Sequence, residues 1–165
     1  MDGEPSTEHL WLERLVGAWT YSSECDMGPG QPREHFEGTE NVTRLGPFWA
    51  VLDGEGEMPG GGTALTRMTL GYQPGEGYLG TWIGSMMPFM WRYAGTMSQD
   101  GTTLTLAAEG PSFSGDGSIA SYEDIITLKG DNERTLVSRV RQDDGSWREF
   151  VWVRYAGREF SRPPG

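Results

Sequence analysis

Cysteine is almost missing from this 165-residue sequence: Cys25 stands alone, so an internal disulfide and a thiolate metal cluster are both ruled out. Lysine is as scarce. With Lys129 the only one, and 24 acidic residues against 13 basic, the net charge is −11, the wrong sign for a phosphate backbone or an anionic membrane surface. Nucleic acid and membrane are therefore not expected partners. Of the two histidines, His9 and His35, neither has a second imidazole at ligand spacing, so both read as surface or rim residues and no metal is assigned. No run of eighteen apolar residues occurs, and the start, MDGEPSTEH, is acidic and polar. The expectation is a soluble, cytoplasmic protein of bacterial type.

What the chain does have is glycine, 25 residues of it, together with 12% aromatic side chains, a pairing that suits many short strands joined by tight turns. One helix is expected first. In TEHLWLERLVG, Leu10, Trp11, Leu15 and Val16 fall near one face at helical spacing, with Ser6 or Thr7 to cap the start and Gly17 to end it. From Ala18 the period changes to two, and ten strands are expected: Ala18–Cys25, Glu34–Arg44, Phe48–Glu57, Thr63–Tyr72, Tyr78–Met87, Met90–Ser98, Thr103–Glu109, Ala120–Lys129, Thr135–Gln142 and Trp147–Tyr155. The links Gln99–Thr102, Gly130–Asn132 and Asp143–Ser146 carry the residues of tight hairpins, so neighbours in sequence become neighbours in the sheet.

A meander of that many strands leaves two unpaired edges unless it closes, so the fold class is all-β: a closed antiparallel up-and-down barrel of about ten strands, one end plugged by the helix. Residues 1–6 and 158–165 read as tails about one domain spanning 7–157. The longer links Met27–Arg33, Pro59–Gly62 and Gly110–Ser118 are expected to form the rim of the other end.

The stretch Thr63–Met97 holds three tyrosines, two tryptophans and five of the eight methionines, cut by Gln73-Pro74-Gly75-Glu76-Gly77 and again at Pro88. Along Tyr78–Met87, Trp82 shares a face with Gly80 and Gly84, which leave room beside its ring. Either these side chains fill the barrel, or they line a pocket that a barrel of this strand count encloses.

Gly17-Ala18-Trp19, directly after the helix, resembles the Gly-x-Trp signature of lipocalin-like barrels, in which an arginine from the last strand lies on the tryptophan. Arg154 stands where that arginine would be. More broadly, Leu15–Tyr21, Met27–Pro32, Gly56–Thr63, Met68–Tyr72, Gly80–Met87 and Glu109–Phe113 resemble the bacterial family called domain of unknown function 1579, over nearly the whole chain. The resemblance implies a lipocalin-like or calycin-like barrel and says little of activity. The family pattern often places histidine near the positions of Phe89 and Arg154, and this chain has none there. Some calycin-like barrels hold haem through a late histidine; none follows His35, so no cofactor is assigned.

The leading expectation is thus a barrel that binds a small, largely apolar molecule. Trp49, Trp82, Ser85, Met87, Trp91, Tyr122 and Trp152 are its candidate lining residues, with Arg139 as anchor should the ligand carry a carboxylate. Arg139 and Arg141 equally suit an outward face beside acidic neighbours. A rival is a barrel isomerase, hydrolase or dehydratase using Tyr122, Glu123 or Asp124 for proton transfer, which requires a carboxylate of raised pKa in the pocket. No catalytic residue is assigned, because Ser85, Ser112 and Ser138 have no histidine placed to activate them. Glu37, Glu40, Glu55 and Glu57 read as solvated strand faces. A third reading is a filled barrel that serves as an interaction module, for instance as a homodimer through an exposed sheet face.

Overall fold

The structure is a computed structural model and describes residues 3–157; the expected C-terminal tail, 158–165, and the first two residues of the expected N-terminal tail lie outside the described residues. A short helix, α1 (Thr7–Glu13), precedes ten strands: β1 (Gly17–Cys25), β2 (Glu34–Leu45), β3 (Trp49–Glu57), β4 (Thr63–Gln73), β5 (Gly77–Gly84), β6 (Met87–Met97), β7 (Thr103–Pro111), β8 (Ile119–Leu128), β9 (Glu133–Arg141) and β10 (Trp147–Gly157). Each pairs antiparallel with its sequence neighbours, and β1 pairs with β10, so the sheet is a closed up-and-down barrel. Among the described residues, no helix is long and apolar enough to cross a membrane.

Parity along each strand sets what faces in. Trp19, Val42, Ala50, Leu52, Leu70, Leu104, Leu106, Ile126 and Leu128 are buried from six different strands, on one side of the pleat in every case. Each leucine, isoleucine or valine among them contributes roughly 1.5–3 kcal/mol on burial. They gather toward the end that α1 covers, where Leu15 is 0% exposed. Three side-chain bonds fasten that end: Trp11 Nε1 donates to the Gly101 carbonyl at 2.7 Å, Trp19 Nε1 to that of Leu15 at 2.8 Å, and His9 Nε2 bonds the Tyr72 carbonyl at 2.8 Å.

Three local expectations are corrected. The buried face of α1 is His9, Trp11, Leu12 and Leu15, whereas Leu10 and Val16 face solvent. The reason is that the helix tightens after Glu13, with Arg14, Leu15 and Val16 each donating to the carbonyl three residues back. His9 is accordingly not a rim residue: its Nδ1 accepts from the Ser6 backbone N–H at 2.9 Å, which leaves Nε2 to donate to the Tyr72 carbonyl. Pro88 does not separate β5 from β6. The reversal falls at Ser85-Met86, and Pro88 sits in a bulge between the pairs Trp82–Trp91 and Gly84–Met87, where no ladder bond is asked of its nitrogen.

Candidate functional site

The half of the barrel away from α1 is hollow. Its cavity of about 560 Å³ opens toward the links 26–33, 58–62, 85–86, 112–118 and 142–146, which all lie at the same end. The three long links expected at a rim are therefore all there. The wall is mainly aromatic and aliphatic: Trp82 from β5, Met87 and Trp91 from β6, Tyr122 from β8, and Met68 and Leu136 from β4 and β9. Trp91, Tyr122, Phe150 and Phe113 form a chain of edge-on ring contacts, with centroids 5.0–6.1 Å apart, that runs up to the mouth. Phe113, in the β7–β8 link, is 62% exposed there.

Two sheet features make the space. Gly38 and Gly56 face each other across β2 and β3, and the Tyr21 ring lies over both, so a methyl at either would collide with it; Gly54 beside them contributes only backbone to the wall. On the other side β6 and β7 pair only through Ala94–Met97 and Leu104–Ala107. Beyond that the strands part, and Trp91, its ring laid over Gly110, stands in the gap together with Tyr122.

Two polar groups sit inside. On the floor, Arg134 is 0% exposed and donates through Nη2 to the Glu40 carboxylate, while its guanidinium lies 3.7 Å from the Tyr155 ring centroid and 4.8 Å from that of Trp19. Burial pushes the Glu40 carboxyl up, against the pull of Arg134, and likewise raises the phenols of Tyr21 and Tyr155. On the β8–β9 wall, Asp124 accepts from the Tyr93 hydroxyl through Oδ2 and from the Ser138 hydroxyl through Oδ1, both at 2.5 Å. Burial raises the Asp124 carboxyl above its ordinary range, although both hydroxyls pull it down. Among the described residues no histidine, cysteine or lysine lines the cavity, so proton chemistry there falls to these carboxyls and phenols.

Of the eight lining residues expected from the sequence, Trp82, Met87, Trp91 and Tyr122 come together in the cavity and the other four face out. Trp49 lies on the outer face with its ring over Gly71. Ser85 is in the β5–β6 turn, its hydroxyl accepting from the Leu65 N–H at 2.9 Å. Arg139 pairs with Glu123 at 2.5 Å outside the barrel and lies over Trp147. Trp152 is outside beneath Arg33, whose guanidinium is 3.9 Å from its ring. The cause is parity: Ser138 and Val140 point in, so Arg139 points out, and Val151 and Val153 do the same to Trp152.

The same rule corrects two further expectations. Arg154 is on the outer face near Glu133, 3.8 Å away, and the arginine over Trp19 is Arg134 from β9. Glu40 is no solvated face residue, because Phe36, Gly38, Glu40 and Val42 share the inward side of β2. Of the two residues that hold Asp124, Ser138 was considered only as a nucleophile and Tyr93 was not singled out by sequence; their alternation with Trp91 and Val140 is the signal that marks them.

Solved structures share this architecture at low identity. Rv2717c from M. tuberculosis superposes with a TM-score of 0.68 at 11% identity, covering 94% of this chain and 100% of its own. The S-type phycobiliprotein lyase CPES from Guillardia theta gives 0.61 at 16%, covering 96% and 100%. The barrel EF1p2_mFAP2b, solved bound to DFHBI, gives 0.50 at 10%, covering 92% and 100%. Identities this low establish the fold alone. No curated protein sequence matches the chain. A family does match, over residues 4–156, and in keeping with the glycine and aromatic runs that shape this barrel, the chain belongs to the family described as protein of unknown function (DUF1579).

Proposed function

We propose that this protein binds a small, largely apolar molecule, aromatic in part, in the hollow half of the barrel, and that it does so in the cytoplasm. One observation carries the reading: a cavity of about 560 Å³, walled by Trp82, Trp91, Tyr122, Met68 and Met87, sits above a packed floor. That volume suits a small organic ligand. Methionine and jointed aromatic walls adapt to guests of varied outline. A barrel of the same architecture bound to DFHBI, and another named as a phycobiliprotein lyase, are consistent with it. The solid-barrel reading called for an interior without such a hollow.

The test is titration with a naphthalene-type fluorescent probe. Saturable emission change, competed by a second apolar compound and lost in Ala108→Phe, supports the reading, because Ala108 is on the cavity wall and a benzyl group there would occupy the hollow. Absence of saturable binding to the unaltered chain overturns it.

A second reading, proton transfer on the bound molecule, is favoured by the raised Asp124 carboxyl inside the cavity. Its carboxylate would take a proton from a carbon beside a carbonyl and return it. Deuterium exchange into 2-tetralone in heavy water, abolished by Asp124→Asn, is the expected result. Exchange no faster than in buffer would remove this reading.

A further inference from the structure

The charges of the cavity are one-sided. Among the described residues that line it, the only cationic group, Arg134, is paired with Glu40 and lies against Trp19 and Tyr155, and its Nε is buried without a partner. Among the described lining residues, no unpaired positive charge is left for an anionic guest. Arg139, the β9 arginine expected to anchor a carboxylate, is outside the barrel and paired with Glu123.

Asp124 presents the opposite situation. Both neighbouring hydroxyls, Tyr93 and Ser138, already spend their hydrogens on it, one on each oxygen. A carboxylate has about four lone-pair sites, so acceptor capacity remains after two bonds while the donors beside it are used up. What this wall lacks is a hydrogen, and what it offers is a place to put one. The other polar atoms of the lining include the hydroxyls of Tyr21, Ser23, Thr66 and Ser112, which are uncharged and donate or accept alike.

Two more features agree in sign. The faces of Trp82, Trp91 and Tyr122 are negative at their centres and attract a cation in a desolvated setting. The chain's net charge of −11 raises the local concentration of cations and lowers that of anions around the mouth.

We infer that the cavity selects aromatic molecules carrying a protonated nitrogen, and that Asp124 receives the N–H. This deepens the proposed function and rests on it. The groups facing Asp124 are Leu106 from β7, Ser138 from β9, Tyr93 from β6 and Tyr155 from β10, with the Glu40–Arg134 pair on the floor. Arg134 is the only cation among them, and Glu40 neutralises it. A bound ammonium stabilises the ionised form of Asp124, so binding expels a proton wherever Asp124 is neutral in the empty protein, and affinity for the amine climbs with pH until Asp124 is fully ionised.

The experiment compares three probes with the same ring: 1-naphthylmethylamine, 1-naphthalenemethanol and 1-naphthoate, each titrated against the full chain. The expected order is amine, then alcohol, then carboxylate, with the amine about tenfold or more tighter than the carboxylate. In Asp124→Asn the advantage of amine over alcohol, read as the ratio of the two affinities for the same variant, collapses. In the unaltered chain the amine-to-alcohol ratio falls as pH is lowered through the titration of the Asp124 carboxyl, while the amine itself stays protonated. That second readout keeps the test alive if the variant fails to fold. Carboxylate binding as tight as the amine, or a ratio unmoved by both the substitution and pH, overturns the inference while leaving the cavity reading intact. Failure of all three probes to bind overturns the cavity reading, and the inference with it.

Discussion

The two ends of this barrel use the same ten strands and the same inward parity, yet one is solid and the other hollow. Toward α1, the inward positions carry Leu70, Leu104, Leu106 and Leu128, and Trp19 is tied to the helix through the Leu15 carbonyl. Toward the long links they carry Gly38, Gly54 and Gly56, the acids Glu40 and Asp124, and rings that lean on one another rather than interlock. A core of the first kind holds the chain folded. A wall of the second kind gives up packing, and the space it leaves is where a guest fits. The floor between them is Arg134, which joins Glu40 electrostatically to the aromatic pair Trp19 and Tyr155.

The largest effect that would break this division is loss of the floor. Arg134→Met strands Glu40 as a buried, unpaired acid, and the expected cost is about 3–5 kcal/mol in chemical denaturation, since removing one partner of a buried pair leaves the other uncompensated. A cost under about 1 kcal/mol would mean the pair holds nothing together.

Paired truncations sharpen the contrast. Leu104→Ala, in the solid end, is expected to lower stability by about 2–5 kcal/mol and leave probe affinity unchanged once the protein is folded. Met87→Ala, at the hollow end, should cost about 1 kcal/mol or less and shift probe affinity instead. Equal losses of stability from the two would erase the distinction.

Acidity supplies a smaller effect with a definite sign. The Asp124 carboxyl titrates above its ordinary value of 3.8 in the folded chain, so the folded state holds that proton more tightly than the unfolded state does. Its contribution is fully present below the ordinary value and is lost as pH rises toward the folded-state value. Stability of the unaltered chain relative to Asp124→Asn should therefore fall with increasing pH above about 4, followed by denaturation across a pH series. A rise would show that Asp124 is held ionised.

The smallest expected effects are on the outside. Arg139→Ala and Trp152→Ala remove surface contacts to Glu123 and Arg33, so each should change stability by about 1 kcal/mol or less and leave probe binding within twofold. A marked loss of binding in either would place the guest on the outer face.

These two residues also show where reading the sequence succeeds and where it stops. Strand number, antiparallel order and closure are legible because alternation and turn chemistry recur ten times over, and errors of a residue or two at each end do not accumulate. The hollow's richest stretch, Trp82 to Trp91, is legible too, because glycines flank Trp82. Which face of a strand is inward is harder, since a one-residue offset exchanges every assignment. Trp152 was placed inside on chemistry alone, and Arg139 was left open to either face, while their neighbours Ser138 and Val153 hold the inward sites. Arg134 was hidden for another reason. Only closure of the barrel brings β9 alongside Trp19 and Glu40, residues about a hundred positions away, and no local pattern announces that meeting.

The central claim, that a guest occupies the hollow half and leaves the solid half untouched, is tested most directly by the indole N–H resonances of the seven tryptophans during titration with a naphthalene-type probe. Saturable shifts of Trp82 and Trp91, with Trp11 and Trp19 unmoved in their bonds to Gly101 and Leu15, are the predicted result. Shifts confined to Trp49 and Trp152 on the outer face, or none at all, would contradict it.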